Sequence, residues 1–131
     1  MFIINEGEMA FHAEKIIPKK WGTEFWIVNN EAYCLKLLKI NPGFQSSIHC
    51  HRKKDETFIG VSGTVTLFLH NEDKGIAGIV GVTSGGTYRL KAKQFHSFSA
   101  HNLSWIMEVS THHDEKDVVR LQESRNLNEE V

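Results

Sequence analysis

The chain has 131 residues, 15 Lys and Arg against 16 Asp and Glu, a net charge of -1, 8 His and 2 Cys. That length suits one domain, 1–131, able to bury its own core. The balanced charge gives nucleic-acid binding no electrostatic basis, because "HRKK" at 51–54 is followed at once by Asp55 and Glu56.

The opening "MFIINEGEMAF" has neither the basic region nor the apolar run of a signal peptide, and no stretch approaches the ~18 apolar residues of a membrane span. A cytoplasmic protein without membrane contact is the expectation. Two cysteines, Cys34 and Cys50, are too few for a secreted disulfide framework, which predicts reduced thiols.

Runs rich in β-branched and aromatic residues then recur: "EFWIV", "YCLKLLKI", "TFIGV", "TVTLFLH", "IAGIVGV" and "SWIMEVS". Turn signals such as "NN", "NPG", "NEDKG" and "SGG" separate them. The pattern predicts an all-β fold, an antiparallel sandwich or small barrel whose interior can hold a ligand. Lys36, Lys39 and Glu108 interrupt these strands, and a charge in mid-strand ordinarily faces solvent.

Between the strands lies "GFQSSIHCHRKKDETFIGVSG" at 43–63. Side chains alternate along a strand, so His49 and His51 share one face and Cys50 takes the other. Glu56 follows the polar turn "RKKD", where a chain reversal can bring its carboxylate beside the imidazoles. His96, in "KQFHSF", shares a face with Phe98, and a barrel could carry it to the same mouth. Three imidazoles and one carboxylate suit Mn, Zn, Fe, Ni or Co and leave positions open on the ion. At the end, Asp114 as N-cap with Val118 and Leu121 at helical spacing predicts a short C-terminal helix, followed by a frayed "NLNEEV".

Gly43, His49, His51, Glu56 and Gly63 together resemble the first motif of the cupin superfamily, with every fixed position at its expected spacing. Gly85 and His96 resemble parts of the second motif, although Lys91, Lys93 and Ala100 stand where it has proline, glycine and asparagine. The resemblance implies a double-stranded β-helix, or jelly-roll barrel. It also implies that His49, His51, Glu56 and His96 hold one divalent transition metal.

Three further segments, "KKWGTE" at 19–24, "KLLKINPG" at 36–43 and "EVSTHHDEKDVVRLQ" at 108–122, resemble the C-terminal cupin domain of type II phosphomannose isomerases and related sugar isomerases. His49 departs from that family, which usually carries glutamine there. The likeness implies aldose–ketose isomerisation or epimerisation of a sugar or sugar phosphate by proton transfer at a metal-bound substrate. Glu108 is the first candidate to carry the proton and Glu24 the second. Lys36, sharing a face with Leu38 and Ile40, would point inward to stabilise negative charge, and Arg120 would hold a phosphate or an enediolate oxygen. Phe58 and Phe98, with Trp21, would wall the pocket. Two other readings stay open, a non-heme metal oxygenase and a non-catalytic sugar-binding cupin. The apolar "FII" at 2–4 could add to a partner's sheet edge, as in many cupins, so a homodimer is expected.

Overall fold

Each of the six apolar runs forms a strand in the computed structural model, which describes residues 1–7 and 9–129. In chain order the strands are β1 (Phe2–Glu6), β2 (Met9–Ala13), β3 (Lys15–Lys19), β4 (Gly22–Asn29), β5 (Cys34–Ile40), β6 (Phe44–Gln45), β7 (Ile48–His51) and β8 (Glu56–Ser62). They continue as β9 (Thr64–His70), β10 (Ile76–Thr83), β11 (Thr87–Leu90), β12 (Phe95–Ala100), β13 (Ser104–Ser110), β14 (Val118–Gln122) and β15 (Arg125–Asn126). No helix among the described residues is long and apolar enough to cross a membrane.

Two antiparallel sheets close into a jelly-roll barrel. One has the order β10-β9-β12-β7-β14, the other β11-β8-β13-β5-β4-β3. Strand alternation sends Leu38, Ile40, Phe58 and Ile106 inward from the six-stranded sheet, where they pack with Val65, Leu67, Val82 and Phe98 of the five-stranded one. The chain crosses between sheets at Gly63, with φ of 79°. A Cβ there would collide with the Ser104 side chain, so the turn requires glycine.

The outward face of the six-stranded sheet is apolar as well, and the β1–β2 hairpin covers it. Ile4 and Ala13 pack with Phe25, Leu37 and Trp105, and Phe25 stacks on Trp105 at 5.7 Å. The "FII" strand therefore pairs within its own chain, Phe2 opposite Ala13 and Ile4 opposite Phe11, leaving Phe2 and Ile3 exposed.

The C-terminal helix expected over the segment after Asp114 is not formed. Asp114 does cap a turn, its carboxylate accepting the Lys116 N–H at 3.0 Å, but that 3₁₀ turn covers only Glu115–Asp117. Val118–Gln122 is instead strand β14, paired with β7. β-branched Val118 and Val119 fit a pleated surface, and β7 gains a backbone partner on its open edge. Nor is the segment beyond it frayed as far as it is described: Leu127 N–H donates to Gly43 O at 2.9 Å and a second 3₁₀ turn covers Leu127–Glu129.

Candidate metal centre

β7 is short and lies between β12 and β14, and its alternation places His49 and His51 on the barrel interior with Cys50 turned away. β12 runs beside it with His96 directly opposite His49, ring centroids 4.4 Å apart. The turn before β12 is closed by Lys93, whose N–H donates to His51 O at 2.6 Å. Lys93 holds φ of 71° where the cupin motif has glycine, a strain of ~1–2 kcal/mol that the surrounding turn sustains. One nitrogen from each of His49, His51 and His96 lies within 4.8 Å of the others, a group that could hold a metal ion.

Hydrogen bonds behind two of the rings, His49 and His96, fix their tautomers. His49 Nδ1 donates to Ser47 O at 3.0 Å and His96 Nδ1 to Gln94 O at 2.9 Å, which leaves each Nε2 with a lone pair directed into the site. Burial, and the crowding of the other imidazoles, holds His49 well below the ordinary histidine range. Burial likewise lowers His51 to about 4, against the pull of Glu56. Near neutral pH these two rings are uncharged donors.

Glu56 reaches the imidazoles from the other sheet. Its Oε1 lies 3.2 Å from His96 Nε2 and its Oε2 3.3 Å from His51 Nε2. His96 Nε2 is nevertheless buried without a hydrogen-bond partner among the described residues, and Glu56 Oε2, though 3.2 Å from the Lys54 ammonium, accepts no hydrogen bond. Buried acceptors crowded together in this way are costly unless a cation lies between them. The donor set therefore fits a divalent transition metal.

Charge surrounds this centre on the six-stranded side. Phe58, Glu108 and Lys36 form one row across β8, β13 and β5. Lys36 is only 2% exposed, its Nζ 3.5 Å from Glu24 Oε1 and 4.2 Å from the centroid of the Trp26 ring. Burial alone would raise the Glu108 carboxyl, but the ammonium groups of Lys54 and Lys36 outweigh it and keep the group below the usual carboxylate range.

Most of these side chains line a cavity of about 420 Å³. Of the residues expected from the sequence, His49, His51, Glu56, Glu108, Lys36, Arg120, Phe58 and Phe98 stand in its wall, and His96 lies just behind it, 2% exposed. Phe58 and Phe98 meet edge to face at 6.2 Å, and Trp21 packs on Phe98 at 4.9 Å. Arg120, opposite His49 on β14, sits at the mouth with Nη2 3.3 Å from Glu115 Oε2.

Three residues escaped the sequence reading. Lys54, in the turn taken as merely polar, is 3% exposed, with Nζ 2.6 Å from Glu108 Oε2, 3.2 Å from Glu56 Oε2 and 3.0 Å from His113 Nδ1. Burial would lower this ammonium, yet Glu108 and Glu56 together raise it above the ordinary lysine value. His113 is buried and lowered by that burial, and its Nε2 donates to Glu115 Oε1 at 2.8 Å. The signal available was the clustering of His113 and Glu115 close after Glu108, which no strand or helix period organises.

No family model matches the chain, and no curated protein matches it in sequence. Solved structures match it in fold. An oxalate decarboxylase mutant from Bacillus subtilis is 18% identical over 82% of this chain and 30% of its own, with a TM-score of 0.70. A cupin-2 domain containing protein from Shewanella frigidimarina is 22% identical over 66% of this chain and 76% of its own, TM-score 0.55. A variant of Streptomyces PAC13 with uridine is 10% identical over 82% and 84%, TM-score 0.68. The chain spans under a third of the oxalate decarboxylase, and at these identities the likeness is one of fold: the barrel is a cupin fold.

Proposed function

We propose that His49, His51, His96 and Glu56 bind one divalent transition metal, and that the cavity acts on a sugar or sugar phosphate by moving a proton between adjacent carbons, as in aldose–ketose isomerisation or epimerisation. The observation that carries this reading is the convergence of three imidazoles and Glu56 in a cavity that also holds an ionised carboxylate, Glu108, flanked by buried lysines. A divalent ion at this position would polarise a substrate carbonyl and acidify the neighbouring carbon. Glu108 then accepts the proton and returns it one carbon away. The lysines that keep Glu108 ionised also make it a weak base, so the transfer depends on that acidification. Lys36 offsets negative charge as it develops on substrate oxygen, Phe58, Phe98 and Trp21 exclude water, and Arg120 at the mouth is placed to meet a phosphate. The neighbouring folds support a small-molecule ligand, since their names include oxalate and uridine.

Elemental analysis of purified protein, followed by an anaerobic screen of sugars and sugar phosphates in D₂O, tests the reading. One metal ion per chain and deuterium at a carbon next to the carbonyl are expected. Turnover that consumes oxygen would replace it with an oxygenase, and tight sugar binding with no exchange at any carbon would leave a binding protein.

A further inference from the structure

Lys54 follows Arg52 and Lys53, both exposed, and yet is buried. The turn is bent inward by Asp117, whose Oδ1 and Oδ2 accept the backbone N–H groups of Lys53 and Lys54 at 3.0 and 3.1 Å, while Arg52 N–H donates to Asp117 O at 3.0 Å. The side chain then runs between the sheets and ends among three acceptors: Glu108 Oε2 at 2.6 Å, His113 Nδ1 at 3.0 Å and Glu56 Oε2 at 3.2 Å.

Two of the ammonium's three N–H donors are hydrogen-bonded, to Glu108 and His113, and its charge also pairs with the Glu56 carboxylate. The acceptors are themselves anchored. Glu108 sits within β13; the Asn29 side chain holds the His113 backbone, its Oδ1 accepting His113 N–H at 3.0 Å and its Nδ2 donating to His113 O at 3.1 Å, and Glu115 accepts from the His113 ring at 2.8 Å. Burying a cation this deeply is expensive, by several kcal/mol before its partners are counted, whereas an apolar side chain could fill the same space. What an apolar side chain could not do is join the two neighbouring carboxylates, Glu56 and Glu108, through one cation.

We infer that Lys54 is a positioning residue of the metal centre: it makes no contact with substrate, but holds the Glu56 carboxylate in the pose that reaches His51 and His96 and ties that carboxylate to Glu108. This rests on the reading that His49, His51, His96 and Glu56 hold a divalent ion. In that arrangement Lys54 does for the carboxylate what the carbonyls of Ser47 and Gln94 do for the imidazoles.

The test is a Co²⁺ titration followed by visible absorption, with wild-type protein and Lys54→Met. Loss of the strut should weaken Co²⁺ binding about 10- to 100-fold, as for other groups that orient ligands, and should shift the d–d bands because one oxygen donor is no longer held. A folded Lys54→Met protein with wild-type Co²⁺ affinity and an unchanged spectrum overturns the role while leaving the metal reading intact. Wild-type protein that takes up no Co²⁺ overturns both. If Lys54→Met fails to fold, Lys54→Met combined with Glu108→Gln removes the stranded carboxylate, and comparison with Glu108→Gln alone reads out the same affinity and spectrum.

Discussion

The five-stranded sheet brings His49, His51 and His96 to the cavity, whereas the six-stranded sheet brings Glu56, Glu108, Lys36 and Glu24. Both sets are taken out of water, and desolvation disfavours charge on each. On the five-stranded side burial wins for His49 and His51, which become neutral, and their lone pairs are free to bind. On the six-stranded side Glu108 stays ionised because the ammonium groups of Lys54 and Lys36 are buried with it. The same physical cost thus yields a donor platform on one wall and a charged platform on the other, according to whether a counter-charge is supplied.

Removing a donor breaks the comparison most severely. His51→Ala takes one of the three imidazoles from the cluster, so metal affinity should fall by more than about 100-fold, beyond the loss typical of groups behind the ligands. Elemental analysis after dialysis reads this directly, and unchanged metal content would show that the imidazoles are not the platform. Proton exchange into the substrate should vanish with the metal.

Glu108→Gln separates the two walls. It leaves the imidazoles and Glu56 in place, so metal content should hold, while exchange of substrate deuterium should drop about 10²- to 10⁴-fold, the usual contribution of a positioned acid–base group. Retained exchange would take Glu108 out of the mechanism and turn attention to Glu24, whose Oε1 meets both the Lys36 ammonium and the Trp26 indole N–H.

The donor wall was legible in the sequence because it obeys a period. Alternation fixes His49 and His51 on one face, the turn before β8 returns Glu56, and Lys36 and Glu108 announce themselves as charges inside apolar strands. Lys54 obeys none of this. Its inward path is set by Asp117, far along the chain, and a turn residue carries no periodic signal of its burial. The C-terminal segment failed for a related reason. Val118 and Leu121 fit helical spacing locally, but the open edge of β7 is a non-local demand that converts the segment to strand. The β1–β2 hairpin covering the outer sheet face was hidden in the same way, since nothing local says which strand "FII" will pair with.

Acid should take the two walls apart in sequence. His49, His51 and His113 have pKa values below that of an unfolded histidine, so the unfolded chain binds protons first as pH falls. Their stabilising contribution is complete above about pH 6.5 and is lost as pH falls toward the folded values; for His51, lowered to about 4, the loss is about 3 kcal/mol. The carboxylates go later. Glu108 lies below the usual range and Glu115 is held at about 2 by His113 and Arg120 against burial, so their contribution persists until pH falls below ordinary carboxylate values near 4.5. Metal-free protein should therefore lose Tm in two stages between pH 7.5 and 3, and saturating Zn²⁺ should delay only the first. A single acid transition below pH 4.5 would mean that the imidazoles are not held neutral by the fold.

The smallest effect is expected at Arg120, the cation that the five-stranded sheet contributes to the cavity wall. Its partner Glu115 is largely exposed, and an ion pair in that setting contributes less than about 1 kcal/mol, so Arg120→Ala should barely move Tm. Its value is discrimination. A guanidinium at the mouth recognises phosphate through paired charge-assisted hydrogen bonds, which a neutral hydroxyl cannot match. If the substrate is phosphorylated, Arg120→Ala should raise KM for the sugar phosphate by about tenfold or more, from bonds worth ~1.5–3 kcal/mol each, with kcat nearly unchanged. Equal KM values for wild type and variant across phosphorylated and unphosphorylated sugars would assign Arg120 to holding Glu115, and through it His113 and Lys54, from the outside of the site.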